Sequence, residues 1–384
     1  MKFLRKPATF AAIAGCMGAL MVTAAPAEVT VGVVLSMTGP GSAVGVPTRK
    51  VLEQVPKEIG GQPLKIIVHD DRSDPSAGTA IARRMAIDEK ADVLIGSSLV
   101  PGNIAVAAVA KETETVHLTL APTVLNVQEN PWSFNLPPQT TLMASAVFDH
   151  MRNHGIKKVG YIGFSDSWGE QWLTELKKYA SAGSIEIAGE ERFSRGDSSV
   201  MGQVLKLLTQ KPDAVLVGAT STAAGLVQKT LKEQKFSGPI YHTHGATTPD
   251  FVRIAGATGE GAIAPAGPST VAEELPASNM TKAAGVQFVT AYEEKNGAHT
   301  RTPFSAHLND GFLVLQAAIP TALKSADPGT KAFALALKEA IEDLKELPAS
   351  QGVYNYSAAD HDGLDERARV LVVVKDGAWR YLPE

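Results

Sequence analysis

The stretch ADVLIGSSLVPGNIAVAAVA, residues 91–110, changes periodicity halfway along. Val93-Leu94-Ile95 is a short apolar run closed by Gly96, the pattern of a buried and parallel strand. Ser97 to Pro101 form a short loop that ends at Gly102-Asn103, and Ile104 to Ala110 reads as an Ala-rich helix. A strand that enters a helix through small polar residues leaves backbone N–H groups unpaired. Those groups and the positive end of the helix dipole point to one place, which favours a carboxylate or another anion. The reading is that this loop holds the acid group of a small molecule between two lobes. Taken alone, these residues favour an ordinary βα turn with a polar cap, so the rest of the chain must shift that balance.

The chain has 384 residues, 44% hydrophobic and 20% charged, a composition and length that suit two α/β cores. Residues 1–27 differ from the rest. Lys2, Arg5 and Lys6 precede an apolar run from Phe10 to Val22, and Ala25-Pro26-Ala27 fits a small-x-small cleavage site. This is the pattern of a secretory signal peptide. No later segment approaches 18 uninterrupted apolar residues. Ile13-Ala14-Gly15-Cys16 also fits a lipoprotein cleavage box, although the apolar run before Cys16 is short. Cleavage after Ala27 removes the single cysteine, so an exported chain without disulfides must rely on a large core. Loss of the three leader cations moves the formal charge from −4 to −7, which argues against nucleic acid as a partner.

From Val29 the pattern alternates. Val29 to Met37 is a strand, Val44 to Ile59 a helix, Leu64 to His69 a strand, and Asp74-Pro75 caps a helix through Lys90. The opening stretch follows, then a strand from Val116 to Leu120. After Pro137-Pro138 the alternation restarts and runs to a short helix at Pro249 to Ala255. Ala264 to Pro268 reads as a return crossing. Long helical segments follow at 281–296, 307–323 and 330–347, then a hairpin around Asp376-Gly377. Two open α/β sheets that face each other put a ligand at the carboxyl ends of their strands.

The run Val29 to Pro40 (VTVGVVLSMTGP) resembles the opening of the branched-chain amino-acid binding proteins, the type I periplasmic receptors of ABC importers. The resemblance continues through HDDRSDP at 69–75, LIGSS at 94–98, LAPT at 120–123 and DAVLVG at 213–218. It implies two Rossmann-like lobes joined by three hinge crossings. These are residues 28–138 plus 268–352 for the N-terminal lobe and 139–267 plus 353–384 for the C-terminal lobe. It further implies a monomer in the periplasm, no enzymatic activity, no cofactor, and a permease in the inner membrane as partner. Carried over position by position, the carboxylate loop falls on Ser98, Leu99 and Val100, and a second anchor on Ala121 and Thr123. The aromatic wall of the second lobe falls on Trp168, and two polar positions on Thr220 and His244. Members of the family often carry hydroxyl residues where this chain has Leu99 and Val100. They hold the ligand's ammonium with a carboxylate where this chain has His244, a poor partner for a cation. Tyr241 to Gly245 (YHTHG) and Arg301 to Phe304 (RTPF) resemble a branch that takes up aromatic acids. Leu99, Val100, Trp168 and Phe304 would then form an apolar slot, and the expected ligand is a hydrophobic, aromatic carboxylate. A branched-chain amino-acid receptor and a ligand-sensing regulator of the same fold remain open.

Other readings compete for the same residues. His242 and His244, two apart on a strand, also make a metal pair, but no third ligand stands at a recognisable spacing. Asp70-Asp71 is better explained as a strand-end cap than as a catalytic pair. Gly39 to Gly45 lacks the Gly-Lys-Ser/Thr ending of a phosphate loop, and no Gly-x-Ser-x-Gly elbow supports a hydrolase. Trp168 is equally at home in a core.

Overall fold

The computed structural model describes residues 1–2 and 28–383, so the leader segment lies outside the described residues apart from its first two positions. The first half of the chain gives β1 (Val29–Leu35), α1 (Ser42–Lys50), β2 (Glu58–Ile59), β3 (Gln62–Asp70), α2 (Pro75–Ile87), β4 (Val93–Ile95), α3 (Val100–Thr113), β5 (Val116–Thr119) and β6 (Ser133–Asn135). These strands form a six-stranded sheet in the order β2-β3-β1-β4-β5-β6, parallel except for the β2–β3 pair. The second half begins with α4 (Thr140–Asn153), β7 (Lys158–Phe164), α5 (Ser167–Ser181), β8 (Glu186–Phe193), α6 (Met201–Leu208), β9 (Ala214–Gly218), α7 (Ser221–Glu233), β10 (Ile240–His242), α8 (Pro249–Ala255) and β11 (Ile263–Ala266). It continues with α9 (Lys282–Asn296), α10 (Pro303–Ala322), α11 (Lys331–Glu342), β12 (Leu347–Pro348), β13 (Val353–Tyr354), β14 (Val370–Lys375) and β15 (Ala378–Leu382). The second sheet has the order β15-β14-β11-β10-β9-β7-β8. The fold is α/β with two Rossmann-like lobes.

Each sheet has one point where the chain reverses its direction of growth. In the first sheet it falls between β1 and β4, and in the second between β7 and β9. Crevices open at the carboxyl ends of strands at such points. The residues after β1 and β4, Ser36 and Ser97-Ser98, therefore face those after β7 and β9, Ser165-Asp166 and Thr220. Gly96 makes the first crevice possible. Its φ is +113°, and a Cβ there would lie 2.1 Å from the Val34 carbonyl oxygen.

Two of the three crossings differ from the sequence boundaries, whereas the first falls between β6 and α4 around residue 138 as expected. Residues 263–266 are a strand paired with β10 and β14, so that return crossing starts at Gly267. The boundary at 352/353 is wrong. Tyr354 and Tyr356 are buried in the first-lobe core, and their hydroxyls donate to the Leu136 and Asn135 carbonyls at 2.7 Å. The third crossing thus lies between Tyr356 and β14, because two buried tyrosines must stay where their hydroxyls find partners. The long helix expected over 44–59 stops at Lys50. Pro56 disfavours helical geometry at Val55, and Gly60-Gly61, both at positive φ, turn Glu58–Ile59 back against β3. The hairpin at Asp376-Gly377 forms as expected, with φ +52° and +69°. α9, α10 and α11 pack on the first sheet, whose core includes Phe288, Leu315 and Phe333.

Candidate functional site

α3 starts at Val100, earlier than the sequence suggested, with Leu99 as N-cap and Pro101 in the first turn, where its missing N–H costs nothing. The loop before it is stiff. Ser98 Oγ accepts from Ser36 N at 3.1 Å, Ser97 Oγ donates to Asp71, and Asn103 Nδ2 donates to the Ser97 carbonyl at 2.7 Å. Asp71 also accepts from Ser73 N at 2.8 Å. It is thus a structural brace of the loop.

An inner cavity of about 20 Å3 lies between the lobes. The first lobe lines it with Val44, Ser98, Leu99, Val100, Leu120, Ala121, Pro122, Phe304 and His307, and the second with Trp168, Arg195, Thr220 and His244. Eight of the nine residues expected at the site are therefore together. The ninth, Thr123, is not. Its hydroxyl donates to the Ala121 carbonyl at 2.8 Å and its amide to Asn135 Oδ1, so it fixes the loop after β5 and never reaches the cavity. Val44, Leu99 and Phe304 form one small apolar cluster that lines the cavity together with Trp168. Trp168 sits in the first turn of α5, whose N-cap Asp166 accepts from the Trp168 and Gly169 amides. Gly245 lets the turn after β10 press onto it, since a Cβ there would lie 2.5 Å from Thr220 Cγ2 and 3.1 Å from Trp168 Cζ2.

The two histidines at 242 and 244 separate. His242 closes β10 and its Nε2 contacts Gln228 Oε1 at 2.9 Å, whereas His244 opens the following turn and faces Trp168 at 5.0 Å between ring centroids. Among the described residues no group of three or more His, Cys, Asp or Glu side chains stands close enough to hold a metal.

Five lining residues escaped the sequence reading, the apolar Val44, Leu120 and Pro122 and the polar His307 and Arg195. His307 lies on the first turns of α10 and is 2% exposed. Arg195 pairs with Asp166 Oδ2, stacks over the Phe164 ring at 4.0 Å and reaches Thr220 Oγ1 at 3.4 Å. Burial pushes both cavity imidazoles down to about 3, with mutual repulsion adding to the effect at His244. Both are neutral at pH 7. The cavity thus offers one guanidinium, two neutral imidazoles, two hydroxyls and a helix N-terminus, and no lining carboxylate. Outside it, a chamber of about 310 Å3 runs along the cleft, with Leu99 and Arg195 lining both spaces.

The periplasmic binding protein family model matches residues 28–378. An extracellular ligand-binding receptor of Rhodopseudomonas palustris HaA2 is 46% identical and superposes with a TM-score of 0.90, over 93% of this chain and 100% of that one. A Leu/Ile/Val-binding protein homolog of Brucella suis is 25% identical over 260 residues, 63% of this chain and 67% of its own length. A solute-binding protein of a Rhodopseudomonas palustris ABC transporter, solved with benzoate, shares the fold at 20% identity with a TM-score of 0.76, over 92% of this chain and 95% of its own. With its two switch-point crevices and the braced loop at Ser98, the chain belongs to the periplasmic binding protein family.

Proposed function

We propose that the protein is an exported, monomeric receptor of an ABC importer that captures a small aromatic carboxylate in the periplasm. The lobes close on the ligand, and an inner-membrane permease recognises the closed form. The carrying observation is the composition of the inner cavity. An α-amino acid brings a carboxylate and an ammonium, and a desolvated ammonium needs an anionic partner. The lining has none, since the nearest acid at the cleft, Asp166, is already engaged by Arg195 and by two helix amides. A carboxylate, by contrast, finds Ser98, the α3 N-terminus and the Arg195 N–H groups that the pair with Asp166 leaves over. The body of such a ligand lies between Trp168 and the Val44–Leu99–Phe304 cluster. The receptor role involves no bond-making.

Calorimetric titration tests this directly, on protein freed of bound ligand by unfolding and refolding. The expected result is one-to-one binding of an aromatic acid and none of leucine, isoleucine or valine. Binding of the aliphatic amino acids alone would overturn the ligand class and leave the receptor role standing.

A further inference from the structure

Four ring nitrogens at the inner cavity are buried with no hydrogen-bond partner: both nitrogens of His244, Nδ1 of His307 and Nε1 of Trp168. Buried polar groups are ordinarily paired, so such a concentration marks a place where a partner is meant to arrive. The donor and acceptor character of these atoms says which partner. Trp168 Nε1 only donates. A neutral imidazole carries one N–H and one bare lone pair, whichever nitrogen holds the proton. With neither nitrogen bonded, His244 presents one unmet donor and one unmet acceptor. His307 is likewise a neutral imidazole, and its Nδ1 is buried and unpaired. The cavity therefore leaves at least two N–H groups and one lone pair unmet, contributed from both lobes.

A carboxylate accepts only, so it satisfies the N–H groups and leaves the imidazole lone pair orphaned. An ammonium donates only, and it adds a charge that the lining does not balance. A hydroxyl accepts from one group and donates to another, which matches an imidazole pair placed on opposite lobes. We propose that His244 and His307 together read a hydroxyl group on the ligand, so that the receptor selects a hydroxylated aromatic acid over the unsubstituted one. This rests on the aromatic-carboxylate reading above. It gives closure a polar contact that exists only when both lobes are in place, since His307 belongs to α10 of the first lobe and His244 to the turn after β10 of the second. A water molecule has the same donor and acceptor capacity and fits a space of about 20 Å3, so the test must distinguish it from a ligand hydroxyl.

The experiment titrates the refolded protein with benzoate and phenylacetate, their ring-hydroxylated isomers and the matching methoxy compounds, alongside leucine, isoleucine and valine. One hydroxylated isomer is expected to bind about 10- to 100-fold tighter than both its parent and its methoxy counterpart. In His244→Leu and His307→Leu that advantage should shrink to about threefold or less, whereas the parent acid loses less affinity than the hydroxylated one. A merely structural role would weaken both alike. Should a variant fail to fold, the wild-type comparison decides alone. Equal affinity for parent, methoxy and hydroxylated acids, as a resident water would give, overturns the hydroxyl assignment and leaves the aromatic-carboxylate reading intact. Binding of leucine-class ligands without any aromatic acid overturns both.

Discussion

Arg195 lies in the run Phe193-Ser194-Arg195-Gly196-Asp197, which reads as a solvated loop, yet its side chain is only 13% exposed and covers the Phe164 ring. No local pattern announces it. What buries it is the meeting of two strand ends, β7 and β8, that are far apart in sequence. His307 is hidden differently, in a largely buried helix rich in Ala, Leu and Phe, where a histidine reads as core. Ser98, Leu99 and Val100 were legible because the strand–loop–helix pattern is local. Thr123 misled because it shares a loop with Ala121 but spends its hydrogen bonds on the loop itself. At this scale the test is Trp168, 3% exposed and the main apolar surface the second lobe offers. Trp168→Leu should weaken ligand binding by about 10- to 100-fold in calorimetry, as expected for loss of an aromatic anchor, while the circular dichroism spectrum is retained.

The elements themselves were mostly written in the sequence. Strands such as Ala214–Gly218 are continuous apolar runs buried on both faces, and their helices carry ordinary start signals. Asp74 accepts from the Ser76 amide at 2.7 Å with Pro75 behind it, as the Asp-Pro pair implied. The misses are at ends and crossings. Residues 353–356 look like any short extended segment, and it is the buried rings and hydroxyls of Tyr354 and Tyr356 that tie them to the first lobe. The start of α10 was placed four residues late, because Thr302 and Ser305 form a capping box that apolar periodicity alone does not reveal. That box holds the helix that delivers Phe304 and His307. Thr302→Ala should cost about 1 kcal/mol in chemical denaturation. The same variant should change ligand affinity less than the histidine variants do, because α10 stays anchored through Asp310, which accepts from the Ser350 and Gln351 amides at 3.0 and 2.8 Å.

For the whole molecule, the buried imidazoles set how stability responds to acid. Burial lowers His117 to about 4 and His242, His244 and His307 each to about 3. The unfolded chain takes up these protons near pH 6.5, while the folded one refuses them until much lower pH. Folding stability therefore falls as pH drops below about 6.5, by up to about 1.4 kcal/mol per unit for each histidine. Asp310, pushed up to about 6 by burial, acts in the opposite sense over the lower part of that range, as do Asp92 and Asp362, which burial also raises. Thermal melts between pH 7 and pH 5 should show the midpoint falling with acidification. A midpoint that stays level or rises would mean that the imidazoles are far more accessible than their packing implies.

The interleaving of the two lobes along the chain has a consequence for the order of assembly. The first sheet is not covered until α9, α10 and α11 arrive, and the second is not finished until β14 and β15 add its last two strands. Strands laid down within the first hundred residues thus wait for partners some two hundred residues later, such as Leu315 and Phe333. Neither half can settle early into a stable ball, and contacts of such long reach form slowly. For the exported receptor proposed above, that delay would be an asset if the chain crosses the membrane unfolded. The topology that places a cleft between two lobes would then also keep the chain pliable until nearly all of it has crossed.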